Sequence, residues 1–314
     1  MTDVAPPPPE GPAAIDAIPL RHPWRWVAAG VIIVLAALFV YGAATNPAYG
    51  WKTYFAYLFN ERIMLGVWNT LQLTIYSMVL AIVIGVIVSV MRLSPNPVFR
   101  WVSWVYLWIF RGTPIYVQLV FWGLLPTIYQ NIQLGIPFGP SFFHLNLQAL
   151  SIPFLLATLG LALNEAAYMA EIIRAGITSV PEGQSEASTA LGMSWVMTMR
   201  RTVLPQAMRV IIPPTGNEVI SMLKTTSLVT AVPYSFDLYS IATREIAARI
   251  FDPVPMLLVA ATWYLVVTSI LMVGQYYLER YYSRGASRKL TNKQLEVLAK
   301  AQGTGAPGGG GEGA

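Results

Sequence analysis

The sequence predicts an all-α integral membrane protein of about six spanning helices, with both termini on the cytoplasmic face. Three observations predict it. Hydrophobic residues fill 55% of the 314 positions and charged residues only 11%, against roughly 25% charged in an ordinary soluble domain. Mean hydropathy is +0.54, and apolar runs recur near the ~20 residues that carry a helix across a bilayer. The 20 Lys and Arg are unevenly placed: Lys52, Arg62, Arg244 and Arg249 fall in one set of loops, Arg111 and Lys224 within spans, and the remaining 14 in the opposite set. The positive-inside rule assigns that richer set to the cytoplasm.

The elements follow in order. Residues 1–22 begin with a proline run and no basic start, so they read as a solvated cytoplasmic tail and not a signal peptide. A first span covers 24–42, within a helical segment 23–43. The second covers 67–91, and the third 101–125, interrupted at Arg111–Gly112–Thr113–Pro114. The fourth covers 152–173, the fifth 214–232 and the sixth 256–277. All are expected as helices, because a helix satisfies its own backbone polar groups in lipid. The outer connection 126–151 is rich in Pro, Gly and aromatics and is expected at the membrane surface. The inner connection 175–213 is longer than a turn between helices requires, which points to function. Residues 286–300 suit a short basic helix, and the glycine-rich end completes a cytoplasmic tail, 286–314.

Several function classes are excluded. There is no cysteine, and His22 and His144 are the only histidines, so thiolate and histidine metal clusters are absent and no metal is expected. No phosphate-binding G-x-x-x-x-G-K-[ST] run precedes Lys224-Thr225. Gly303, Gly305 and Gly308 match a dinucleotide spacing only within a low-complexity tail. The net charge of +5 is explained by loop placement and does not indicate a nucleic-acid partner.

Within the spans, Ala81, Gly85 and Ser89 form a small-residue ladder, as do Ala162, Ala166 and Ala170. Such ladders let backbones approach, within one subunit or at a dimer seam. Glu165 and Lys224 fall at similar membrane depth. An unpaired charge there is unfavourable by ~2.5–3.5 kcal/mol on the lenient scale, so they are expected to pair or to line a substrate path. Asn217, Ser221, Lys224 and Thr225 form a polar stripe at helical spacing, and Asn164, Tyr168 and Glu171 form a second. Arg111 either snorkels to the cytoplasmic surface or faces the pathway.

The inner connection carries the sharpest signal. Ser179 and Glu182 have capping-box spacing, with Pro181 in the first turn. A short helix is expected to run to Leu191 and stop at a left-handed Gly192. Ser194 then caps a second helix, expected to end before Pro205. This hairpin exposes Ala187, Ala190, Leu191, Met193, Val196 and Met197, which a protein partner would cover.

The segment resembles the EAA loop of ABC-importer permeases: Glu186, Ala187, Ser188, Gly192, Leu204 and Pro205 stand in register with E-A-A, three residues, G, nine residues, I-x-L-P. It departs at Ser188, where alanine is expected, and at Thr202, where isoleucine is expected. NTLQLTIYSMVLAIVIGVIVSVMRLS (69–94), FRGTPIYVQLVFWG (110–123), AEIIRAGITSVPEGQ (170–184) and LPQAMRVIIPPTGNEVISMLKTTSL (204–228) resemble the polar amino-acid uptake members. The likeness covers about 67–282, within a permease domain expected at 62–285. Typical members have five spans, which leaves the first helix as an addition.

The resemblance implies an ABC-permease-like helical bundle in a bacterial cell membrane. It works with a second permease subunit, the same or related, above a cytoplasmic ATPase dimer. A solute-binding protein outside delivers amino acid. The loop docks in the ATPase, which binds the ATP, so this chain would need no cofactor and catalyse nothing itself. Two rivals stand beside this: an ion-coupled secondary transporter, and a membrane sensor or scaffold whose hairpin holds a signalling partner.

Overall fold

A computed structural model describes residues 23–129, 131–135, 141–146 and 152–282. The tails expected at 1–22 and 286–314 lie outside the described residues. The chain forms two units, divided after Trp51. In the first, α1 (Pro23–Thr45) is apolar on every face and almost wholly exposed within its own unit, the pattern of a helix solvated by lipid. A 3-10 turn, Pro47–Tyr49, follows, capped by Asn46, and Trp51 Nε1 donates to Ala43 O at 2.9 Å.

The second unit is built on α3 (Glu61–Leu93) and α6 (Pro153–Thr178), reached through the short α2 (Trp51–Tyr57). The two ladders meet each other along this pair. Ala81, Gly85 and Ser89 are buried against the α6 face that carries Ala162, Ala166 and Ala170. A Cβ at Gly85 would come within 2.7 Å of Met169 Cβ and 3.3 Å of Ala166 O. The ladders therefore pack this chain on itself.

The third predicted span is two helices, α4 (Pro97–Gly112) and α5 (Ile115–Ile128), joined by extended Thr113 and Pro114. The break has a local cause. In a continuous helix Phe110 C=O would accept from residue 114, which is proline and has no N–H. Gln118 Nε2 supplies the missing donor to Phe110 O at 3.0 Å and also binds Thr113 O at 3.1 Å. Between α5 and α6 lies an antiparallel hairpin, β1 (Asn131–Gly135) with β2 (Ser141–Asn146), pairing Asn131 with Asn146 and Gln133 with His144. The hairpin lies within the connection 126–151, for which the sequence predicts a position at the membrane surface but no strands.

After α6 come α7 (Glu182–Ala190) and α8 (Trp195–Thr198), a π-turn Met199–Val203, and α9 (Leu204–Thr225). Pro205 does not stop a helix as predicted: it sits in the first turn of α9, and the chain runs on through the π-turn. The wide turn suits a proline, whose ring would strike the carbonyl four residues back in a regular helix. Consequently α9 begins inside the predicted inner loop and ends before the predicted limit of the fifth span, passing into a 3-10 turn, Thr226–Ala231. Asp237 caps α10 (Leu238–Ser240), and a second π-turn, Ile241–Ile246, leads to α11 (Ala247–Ile250) and the long α12 (Pro253–Tyr282).

Among the described residues four helices are long and apolar enough to cross a membrane: Trp24–Thr45, Glu61–Leu93, Pro153–Thr178 and Pro253–Tyr282. The pair α4 and α5 divides one span's worth of residues, and α9 carries Arg209, Glu218 and Lys224.

Candidate functional site

The hairpin between α6 and α9 takes its shape from three local choices. Gly192 adopts φ +77, a left-handed conformation that disfavours any Cβ-bearing residue. Its N–H closes on Thr189 O, and Met193 N on Ser188 O, so the last carbonyls of α7 are satisfied. Ser194 Oγ accepts from Met197 N at 3.4 Å and opens α8. The expected capping box at Ser179 does not form. Pro181 is the residue before α7 and makes no side-chain cap, while Ser179 Oγ donates to Gly176 O at 2.7 Å, finishing α6 instead.

Leu191 is 82% exposed, Trp195 72% and Val196 66%. Glu186, Ala187 and Ala190 are exposed beside them, whereas Met193 is half-buried. Nothing among the described residues covers this apolar tip, and such a surface is what a docking partner needs. Ser188 instead turns inward, 5% exposed, and its hydroxyl meets that of Thr202 at 2.8 Å while also donating to Gln184 O. The two departures from the motif are one contact: a hydroxyl pair ties α7 to the π-turn. Leu204 and Pro205, the end of the motif, lie exposed at the foot of α9.

The intramembrane residues sort differently from expectation. Glu165 does not pair with Lys224. It is buried on α6 with its carboxyl against that of Glu218 on α9, and its Oε1 has no hydrogen-bond partner among the described residues. Lys224 is exposed on α9 and opens onto a separate cleft with Tyr239 and Tyr264. Asn217 and Ser221 are exposed on the same face, while Thr225 is half-buried and returns its hydroxyl to Ser221 O at 2.9 Å. Asn164 belongs to the helix break: its Nδ2 donates to Phe110 O and to Gln118 Oε1, both at 3.0 Å. Arg111 leans over the Tyr168 ring, 5.4 Å from its centroid, near Arg92 at the end of α3.

Two participants escaped sequence reading. Glu218 is the neighbour of Asn217 but lies about 100° further round the helix, off the stripe that the polar spacing selected. Gln118 has no motif of its own. A signal for it existed in the proline four residues before, which deprives Phe110 of its donor.

A family model described as binding-protein-dependent transport system inner membrane component matches residues 81–284. The arginine transport system permease protein ArgU of Corynebacterium glutamicum is 63% identical over 293 residues, 93% of this chain and 90% of that one. The histidine/lysine/arginine/ornithine transport system permease protein HisM of Escherichia coli K12 is 38% identical over 66% of this chain and 83% of its own. A crystal structure of an amino acid ABC transporter with histidines superposes with TM-score 0.58 at 31% identity, over 70% of this chain and 94% of that one. An inward-facing form of the MetNI methionine ABC transporter has the same fold, with TM-score 0.56 over 70% of this chain and 96% of that one, at 19% identity.

Proposed function

The chain belongs to the family of binding-protein-dependent transport system inner membrane components, and from that premise we propose that it is the permease subunit of an ATP-driven importer of cationic amino acids, arginine foremost. The observation that carries the coupling role is the exposed hairpin with its left-handed Gly192. A lever must be stiff to transmit force. The Ser194 cap on α8, the hydroxyl pair and the glycine turn that closes α7 supply that stiffness.

ATP is bound and hydrolysed by a separate ATPase dimer seated on the hairpin, and the chain itself carries no cofactor and no catalytic residue. It sits in a bacterial cell membrane with six spans and cytoplasmic termini, counting α4 with α5 as one span and α9 as another. A solute-binding protein delivers amino acid from outside. A second permease subunit, identical or related, covers the exposed stripe of Asn217, Ser221 and Lys224, since such groups do not face lipid.

The cation preference rests on Glu165 and Glu218. Two carboxyl groups facing each other at membrane depth, one with an oxygen left without a donor, attract a guanidinium or ammonium that would satisfy both. The names of the relatives fit the same chemistry. Lys224 on the neighbouring face suits the substrate carboxylate. An ion-coupled transporter or a sensor would leave the hairpin without its role and fits neither the family nor the relatives.

The test is arginine uptake by the complex of permease, ATPase and binding protein reconstituted in vesicles. Glu165→Gln and Glu218→Gln should each lower arginine uptake at least tenfold while the ATPase still copurifies. Wild-type uptake in both variants contradicts the cation site, and ATP-independent uptake contradicts the importer.

A further inference from the structure

A cleft of about 440 Å³ opens on the second unit where the last turn of α3, the C-terminal half of α4 and the lower part of α6 converge. Its walls are Arg92, Trp104, Trp108, Arg111, Tyr168 and Glu171. It shares no residue with the hairpin or with the Glu165–Glu218 pair. The transport reading leaves it unused.

Its charge is unbalanced. Glu171 is taken by Arg174, at 2.8 and 3.0 Å from Oε2, and reaches Arg92 more loosely at 3.8 Å. Arg111 has no carboxylate among the described residues and only the Tyr168 ring beneath it. Two guanidiniums therefore share one carboxylate, and the third, Arg111, has none among the described residues. Trp104 and Trp108 stand beside them one turn apart, rings parallel within 5° and 6.2 Å between centroids, half-exposed or more. Indoles favour the boundary between acyl chains and headgroups, and basic pockets between helices at that depth hold anionic headgroups.

We propose that this cleft binds a phosphate-bearing anion, the headgroup of an anionic phospholipid, with Arg92 and Arg111 on the phosphodiester and the two indoles against the glycerol and upper acyl chain. A phosphate would supply the acceptor oxygens that Arg111 lacks, and a guanidinium takes them two at a time. A second copy of the chain is a poorer occupant, because packing about a two-fold axis here sets a positive cleft against its own image. The inference rests on the membrane placement of α3 and α4 and not on the transported substrate.

The experiment needs no transport, so its failure is separate from failure of the arginine reading. The permease–ATPase complex is placed in symmetric vesicles of phosphatidylcholine containing phosphatidylglycerol, with bromine on the acyl chains of one lipid or the other. The fluorescence lost in Trp104→Phe/Trp108→Phe isolates the cleft indoles. Brominated phosphatidylglycerol should quench that component several-fold more than brominated phosphatidylcholine at equal mole fraction. The preference should disappear in Arg92→Gln/Arg111→Gln and survive an excess of inorganic phosphate. Equal quenching by the two lipids in the wild type overturns the proposal without reference to any variant. So does loss of the preference on adding inorganic phosphate, which would make the ligand free phosphate. Ready disulfide formation between subunits through Trp108→Cys overturns it too, since protein would then cover the cleft.

Discussion

Ser188 and Thr202 are the positions at which the hairpin leaves the EAA pattern, and their hydroxyls meet at 2.8 Å. Removing one partner of a buried hydrogen bond strands the other at about 1–3 kcal/mol, whereas replacing both by apolar groups can be nearly neutral. Ser188→Ala and Thr202→Ile should therefore each destabilise the permease by about 1 kcal/mol, with the double variant recovering most of the loss. Thermal unfolding of the four proteins in detergent measures the coupling, and additive losses would show that the hydroxyls act independently. Asp237 offers a second test. Its Oδ2 accepts from Ser240 N at 3.0 Å, its Oδ1 has no partner among the described residues, and burial raises its pKa. A raised carboxyl pKa stabilises the fold at pH below the ordinary aspartate value, and that contribution is lost as pH rises through the folded value. Asp237→Asn keeps the cap and removes the ionisable group. The wild type should melt at a lower temperature at pH 8 than near the ordinary aspartate pKa, about pH 4, and the variant should lose part of that difference. An unchanged difference would contradict it.

Elements show where sequence reading succeeds and where it runs out. Gly192 was legible because a left-handed stop after a small-residue helix has few other solutions. Gly192→Asn should retain ATPase binding better than Gly192→Val, since asparagine tolerates φ +77 while a β-branched residue loses about 1–2 kcal/mol there. No neighbour lies within 4 Å of a Cβ at this position, so side-chain volume cannot explain the order. Equal binding by both variants, read by copurification, would show that the turn is not needed. The ladders were legible as close-approach surfaces, but the sequence alone could not say which helix each one meets. Gly85→Val should separate α3 from α6 at about 1–3 kcal/mol of overpacking, seen as reduced yield and melting temperature; wild-type stability would contradict the contact. The capping box, the end of the second hairpin helix and the Glu165–Lys224 pair were misread for different reasons. Ser179 has a local acceptor three residues back at Gly176 O, the π-turn lets the chain run on past Pro205, and only Glu218 is a partner that the packing of α9 on α6 brings near.

The whole molecule divides a transport task among separate parts. The α3–α6 seam is tight and continuous, so it acts as a fixed spine. α9 ties the spine to the hairpin at its foot and carries the polar stripe along its length, so movement of the hairpin is movement of the helix that holds Glu218, Asn217, Ser221 and Lys224. The break between α4 and α5 is held by Gln118 and Asn164, which satisfy the carbonyl that Pro114 leaves without a donor. Membrane class and the short helical hairpin between α6 and α9 were readable from composition, the length of the apolar runs and motif register. The carboxyl pair was not, because two groups of like charge are not a pairing that spacing suggests. What remains to be measured is whether the hairpin transmits the work of ATP hydrolysis. The decisive quantity is arginine uptake per ATP hydrolysed in vesicles bearing the complete complex, compared between wild type and Glu186→Arg. The variant should lose the ATPase and fall to background uptake; uptake at the wild-type rate without a bound ATPase would contradict the coupling role of the hairpin.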